Sequence, residues 1–98
     1  MPNPDFQVQR TGDKIVIAGR LDFSTATNAL ASVSEQIQAS TSDHIIDMAG
    51  VTHSNSAGLA VMIEWLAIAH RANQQITFEN IPDSLRQIST VCQVDSLI

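Results

Sequence analysis

The chain has 98 residues, with five basic and ten acidic side chains and a formal net charge of −5. The basic residues are scattered, which argues against capture of nucleic acid or of anionic lipid surfaces. The length is typical of one domain around one hydrophobic core, so residues 1–98 are predicted to form a single domain.

Cysteine and histidine usage limits the chemistry of the chain. Cys92 is the only cysteine, so the sequence can form neither an internal disulfide nor a cysteine-based zinc site, and a reducing compartment, the cytoplasm, is predicted. The three histidines match no metal or nucleophile motif, and we expect no catalytic residue, metal or cofactor. Apolar runs are too short for a spanning helix, so no direct membrane insertion is expected.

A β-hairpin is predicted at the beginning of the chain. Residues from Phe6 to Arg10 alternate between apolar and polar, and Lys14 to Leu21 is rich in β-branched side chains. Thr11-Gly12-Asp13 lies between them and has the residue types of a tight turn. These two segments are therefore expected to pair as antiparallel strands.

The first helix is predicted from Ala26 onward. Its apolar residues recur every three or four positions, at Leu30, Val33 and Ile37. Ser24 or Thr25 precedes it and is the expected N-cap, because a hydroxyl oxygen there can accept from a free backbone N–H. The helix is expected to end in the polar segment that begins at Ser40.

The remaining elements alternate between strands and helices. The pattern predicts a buried strand at His44–Met48, a loop at Ala49–Ser54 and a helix at Ser56–Ala72. A strand at Gln75–Asn80 and a helix after Pro82 follow, with Leu85, Ile88 and Cys92 facing the core. The order β-β-α-β-α-β-α predicts an α/β fold with a mixed, mostly parallel sheet of about four to five strands packed with helices.

The second helix is unusually apolar around its circumference. Its apolar arc covers about 220°, whereas a helix lying on a sheet needs about 100°. Either the first or third helix covers the excess, or a partner protein does. The partner-interface candidates, which include an aromatic residue before the first helix, are Phe23, Leu59, Val61, Trp65 and Ile68.

The segment Asn55-Ser56-Ala57-Gly58 lies where the second helix begins. Free N–H groups and the positive end of the helix dipole at this position would stabilise a phosphate or a partner's carboxylate, and Gly58 would admit another backbone. The alternative interpretation is structural. In that case Asn55 or Ser56 is an N-cap and Gly58 relieves crowding in the first turn.

Two motifs resemble those of STAS domains, the fold of bacterial anti-sigma-factor antagonists. They are Gly19-Arg20-Leu21-Asp22-Phe23-Ser24-Thr25-Ala26 and Asn55-Ser56-Ala57-Gly58-Leu59. The resemblance implies that Ser56 occupies the phosphoacceptor position and that Asp22 and Thr25 line its pocket. The chain has Asn55 where the phosphoswitch pattern has Asp, so Ser56 is expected to be either a phosphoacceptor or a direct partner contact.

A narrower resemblance is to the MlaB family. It rests on the segments Leu59–Ala72, Ile76–Leu85 and Ile88–Leu97. MlaB proteins are the small cytoplasmic STAS subunits of the Mla phospholipid ABC transporter, which maintains outer-membrane lipid asymmetry. This resemblance implies a non-enzymatic subunit that binds the transporter's ATPase and is peripheral to the inner membrane through that complex. The alternative function is a phosphorylation-controlled anti-sigma factor antagonist.

Overall fold

The structure, a computed structural model, describes residues 5–98 and has the predicted order of elements. The strands are β1 Phe6–Thr11, β2 Lys14–Leu21, β3 His44–Ser54 and β4 Ile76–Glu79. The helices are α1 Ala26–Gln38, α2 Ser56–Arg71 and α3 Asp83–Val91, followed by a 3-10 turn at Asp95–Leu97. The predicted fold class, an α/β fold of β-β-α-β-α-β-α order, is confirmed.

The sheet has four strands in the order β1-β2-β3-β4. β1 and β2 are antiparallel, and the last pair of their register is Thr11 with Lys14. Gly12 lies in the connecting turn at φ 64, a left-handed conformation that glycine adopts without steric cost. The pairs β2–β3 and β3–β4 are parallel, so each connection between them contains a helix.

One hydrophobic cluster lies between the helices and one face of the sheet. The strands contribute alternate residues, namely the buried side chains Ile15, Ile17, Leu21, Ile46 and Met48. Helix α2 packs against α1 on one side and α3 on the other. The opposite face of the sheet is open, and there Lys14 Nζ lies 3.1 Å from Glu79 Oε1 across β3.

Strand β3 extends well beyond the predicted segment. The prediction ended this strand at Met48 and assigned Ala49–Ser54 to a loop, whereas the strand continues to Ser54. Residues 50–54 pair with the end of β2 across two register irregularities. The sequence of this stretch does not alternate, so its strand conformation depends on pairing with β2 rather than on local pattern.

Two local predictions are corrected by the structure. Thr25 occupies the N-cap position of α1, but its side chain makes no capping hydrogen bond, and Ser24 does not cap the helix either. Cys92 is exposed, because α3 ends at Val91 and the chain turns away before this residue can face the core. Within residues 5–98, no helix combines the length and apolar character needed to cross a membrane.

Candidate functional site

The two STAS-like motifs meet at one edge of the sheet. Both follow parallel strands, β2 and β3, whose carboxyl ends are adjacent because Leu21 pairs with Ser54. The first motif forms the loop into α1, and the second forms the beginning of α2. Loops at the carboxyl ends of parallel strands are common sites of ligand and partner recognition. We call the surface formed by residues 20–25 and 54–58 the motif edge.

Asn55 is the N-cap of α2. Its backbone is extended, its side-chain oxygen accepts from the Ala57 N–H at 2.9 Å, and its carbonyl accepts from the Gly58 N–H at 2.9 Å. The structural interpretation of this segment is therefore confirmed for Asn55. Because the Ala57 N–H is already bonded, the helix terminus has fewer free donors for an anion, while Ser56 remains exposed.

Gly58 lets α2 approach the backbone of β2. A Cβ built on this glycine would lie 2.5 Å from the Leu21 carbonyl oxygen and 3.2 Å from Leu21 Cγ. The backbone that comes close to Gly58 therefore belongs to this chain. The predicted relief of crowding in the first turn is thus observed as relief of crowding between that turn and Leu21 at the end of β2, and Ala57 beside Gly58 is buried.

Hydrogen bonds hold the loop between β2 and α1. The Asp22 carboxylate accepts from the Ser24 N–H at 3.0 Å, from Ser24 Oγ at 2.6 Å and from Arg20 Nε at 2.9 Å. Thr25 Oγ1 accepts from the Asp22 N–H at 3.1 Å and donates to the Arg20 carbonyl at 2.9 Å. Asp22 and Thr25 are both buried, whereas Arg20 and Ser24, which donate to the Asp22 carboxylate, are exposed.

These contacts also shift the titration of Asp22. Hydrogen bonds from Ser24, joined by the charge of Arg20, hold the pKa of the Asp22 carboxyl below its usual value, although desolvation opposes the shift. The ionised carboxylate therefore stabilises the folded chain. Because the folded-state pKa is lowered, this stabilisation is complete above the ordinary Asp value of about 3.9 and is lost as the pH falls through the lower folded value.

Replacing Asp22 with asparagine is expected to make the free energy of unfolding less dependent on pH in the acid range. The variant should be less stable than the parent chain near neutral pH, and the difference should shrink as the pH falls below the ordinary Asp pKa and the parent's carboxylate becomes protonated. Chemical unfolding followed by circular dichroism across this range measures the effect. Asp13→Asn, at an exposed position in the hairpin turn, is the control. A constant difference between Asp22→Asn and the parent chain would contradict the assignment.

Three of the predicted partner contacts on α2 are core residues. Trp65 is 0% exposed, and Leu59 and Val61 are also buried. They belong to the cluster that α1, α3 and the sheet enclose, so neighbouring helices cover most of the wide apolar arc. The proposed role of these three as surface anchors is therefore wrong for this chain, because their side chains are not accessible.

The other two interface candidates are accessible to different degrees. Ile68 is half-buried against the core cluster, whereas Phe23 is 76% exposed in the loop before α1. Phe23 therefore lies on the motif edge with Ser56, Asn55 and the Asp22 loop. A partner contact by Phe23 and Ile68 remains a prediction.

A serine pair at the motif edge was not anticipated from the sequence. Ser54 Oγ and Ser84 Oγ are 2.8 Å apart, which joins the end of β3 to the first turn of α3. No local pattern pairs two serines thirty positions apart. The nearest signal is Pro82, which correctly predicts where α3 begins and thus where Ser84 lies.

The motif edge offers no cluster of metal ligands. Across residues 5–98, His, Cys, Asp and Glu side chains do not gather in any group of three or more that could hold a metal ion. What the motif edge offers is an exposed hydroxyl, an exposed aromatic ring and a compact ion pair. Such a surface can dock a protein.

Comparisons with known proteins agree with this description. A family model described as Mlab, STAS domain matches residues 6–98. A chain of the Acinetobacter MlaFEDB complex in its ATP-bound Vtrans2 conformation is similar at 26% identity and a TM-score of 0.78, covering 92% of this chain and 95% of that one. A search of curated proteins gave no significant match.

Two more distant structures share the fold. The anti-sigma factor antagonist SpoIIAA in its unphosphorylated form has 20% identity and a TM-score of 0.66, covering 87% of this chain and 81% of that one. The murine Slc26a9 anion transporter in its inward-facing state has 18% identity and a TM-score of 0.65, with 84% of this chain matching 14% of the transporter. At these identities the likeness concerns architecture alone.

Proposed function

The chain belongs to the STAS domain family of the Mlab type, and from this membership we propose that it is a non-enzymatic interaction subunit of an Mla-type phospholipid ABC transporter. In this proposal residues 1–98 act as a single STAS domain that binds the transporter's ATPase. The complex holds the domain at the cytoplasmic face of the inner membrane and supports transporter assembly or activity in outer-membrane lipid asymmetry.

The observation that carries the proposal is the similarity to the MlaFEDB chain. It extends over 92% of this chain and 95% of that one, with more identical residues than the other two structures compared. STAS domains are generally regulatory or interaction modules, which supports a binding role over a catalytic one. The alternative, a phosphorylation-controlled antagonist, rests on likeness of fold to SpoIIAA and is not favoured.

The contact surface in this proposal is the motif edge, centred on Ser56. Ser56 is exposed in the first turn of α2, and its neighbours Asn55 and Gly58 fix that turn on β2. A glutamate here favours the helix, because negative charge at a helix N-terminus is stabilising. The same glutamate places an unpaired charge in a closed interface, which is costly. Ser56→Glu is therefore expected to reduce binding without reducing the stability of the fold.

Ser56→Glu is expected to weaken binding to the cognate ATPase at least about tenfold without loss of thermal stability. Co-expression and pull-down detect the complex, and biolayer interferometry measures its affinity. Ser42→Glu is the matched control, since Ser42 is exposed in the segment before β3, at the opposite end of that strand from the motif edge. Equal affinities for both variants would reject the motif edge as the contact. Failure of the parent chain to bind would reject the function.

A further inference from the structure

Phe23 is an aromatic side chain that the fold leaves in solvent. It is 76% exposed, and the other large apolar side chains exposed in residues 5–98, Val91 and Leu97, lie near the C-terminal end of α3. Aromatic residues are enriched in protein interfaces, where one ring buries a large apolar area at a small cost in side-chain entropy. The packing of this chain therefore does not account for a phenylalanine at this position.

The hydrogen bonds of Asp22 fix the loop on both sides of Phe23. Asp22 Oδ1 accepts from the backbone and the side chain of Ser24, on the far side of the ring residue. Asp22 Oδ2 accepts from Arg20 Nη2 at 2.8 Å, and the Asp22 carbonyl accepts from the Thr25 N–H at 3.1 Å. The backbone on either side of Phe23 thus has its conformation set before any partner arrives.

The surroundings of Phe23 indicate what kind of surface would receive it. The charges of Arg20 and Asp22 compensate each other within one ion pair. The next residue of the loop, Ser24, is exposed and uncharged, so a hydroxyl group follows the ring. A surface of this composition matches an apolar pocket with hydrogen-bonding groups at its rim better than it matches a charged groove.

We propose that Phe23 inserts into an apolar pocket on the transporter's ATPase and that Asp22 is the positioning residue that presents it. The inference rests on the proposed function, since it names the anchor of that interface. Association normally costs the ordering of loops and side chains at the interface. The hydrogen bonds to Asp22 order the loop in advance, so most of the energy of burying the ring is retained as affinity.

The test is a double-mutant cycle on the full chain with the cognate ATPase. Phe23→Ala is expected to weaken binding by about 30-fold, as removal of an interface anchor does, while the control Val91→Ala leaves it unchanged. Asp22→Asn keeps the shape of the side chain but removes its charge and is expected to weaken binding about tenfold in the parent chain. In the Phe23→Ala background the same change should cost no more than about twofold, because Asp22 acts through the ring.

The outcomes separate this inference from the function on which it rests. Binding by Phe23→Ala within twofold of the parent chain, with Ser56→Glu still impaired, overturns the anchor and leaves the ATPase partner in place. Equal losses from Asp22→Asn in both backgrounds overturn the positioning role, because a general effect on folding does not depend on the ring. Absence of binding by the parent chain overturns the function itself. Thermal melting of each variant verifies that it is folded.

Discussion

Replacing Trp65 with alanine is expected to lower the free energy of unfolding by about 3–5 kcal/mol. Trp65 is fully buried on α2, in the cluster that joins all three helices to the sheet. Removing its indole leaves a large cavity between elements that cannot all close onto it, because their backbones are fixed by sheet pairing and helix packing. Urea unfolding followed by far-ultraviolet circular dichroism measures the change, since Trp65 is the only tryptophan and its fluorescence disappears with the substitution.

The control for this experiment is Trp65→Phe. Among the described residues, Trp65 Nε1 has no hydrogen-bond partner, and a buried donor without a partner costs about 1–3 kcal/mol. Phenylalanine removes that donor and keeps most of the ring, so its net effect should be within about 1.5 kcal/mol of the parent chain. ATPase affinity should also be preserved in this variant. Equal destabilisation by phenylalanine and alanine, or selective loss of binding in a fully folded Trp65→Phe chain, would contradict the assignment of Trp65 to the core.

The case of Trp65 shows the limit of what one helix can reveal. The apolar arc of α2 is correctly identified from the sequence, but a helical wheel holds no information about neighbouring elements. Helices α1 and α3 flank α2 and cover the side chains that a partner was expected to cover. Phe23 is the opposite case, because a lone phenylalanine in a polar segment is usually buried and here is exposed.

Local signals predicted the order of the elements well. The hairpin follows from alternation and turn residues, and α3 begins where Pro82 indicates. The second half of β3 could not be predicted, because residues 49–54 lack alternation and are held by pairing with β2. Stabilisation by pairing with a strand that is distant in the sequence produces no apolar–polar periodicity in the paired segment.

The same distinction applies to the motif edge. The resemblance of the two motifs to STAS domains implied a shared pocket, and the structure brings Asp22, Thr25, Asn55, Ser56 and Gly58 to neighbouring loops. Their hydrogen-bonding roles were not predictable from the motifs. Thr25 binds the backbone of its own loop rather than capping α1, and Ser54 pairs with Ser84 across thirty positions.

Gly58→Ala is expected to destabilise the chain by about 3 kcal/mol, the upper end of the range for overpacked sites. In an exposed helix this substitution gains about 0.5–1 kcal/mol, because alanine has the higher helix propensity. Here the new Cβ would lie 2.5 Å from the Leu21 carbonyl oxygen, which is backbone and cannot rotate away. The first turn of α2 must therefore move off β2, and Ser56 moves with it.

Ala60→Gly is the matched control for Gly58→Ala. Ala60 is exposed in the following turn of α2, so its loss should report helix propensity alone, about 0.5–1 kcal/mol, with ATPase binding unchanged. Guanidinium unfolding and ATPase affinity, measured on both variants, distinguish the two effects. Gly58→Ala should reduce affinity even where the chain is fully folded, because the displaced turn carries the proposed contact. A Gly58→Ala chain as stable as the parent would mean that α2 does not lie against Leu21 as closely as the geometry requires.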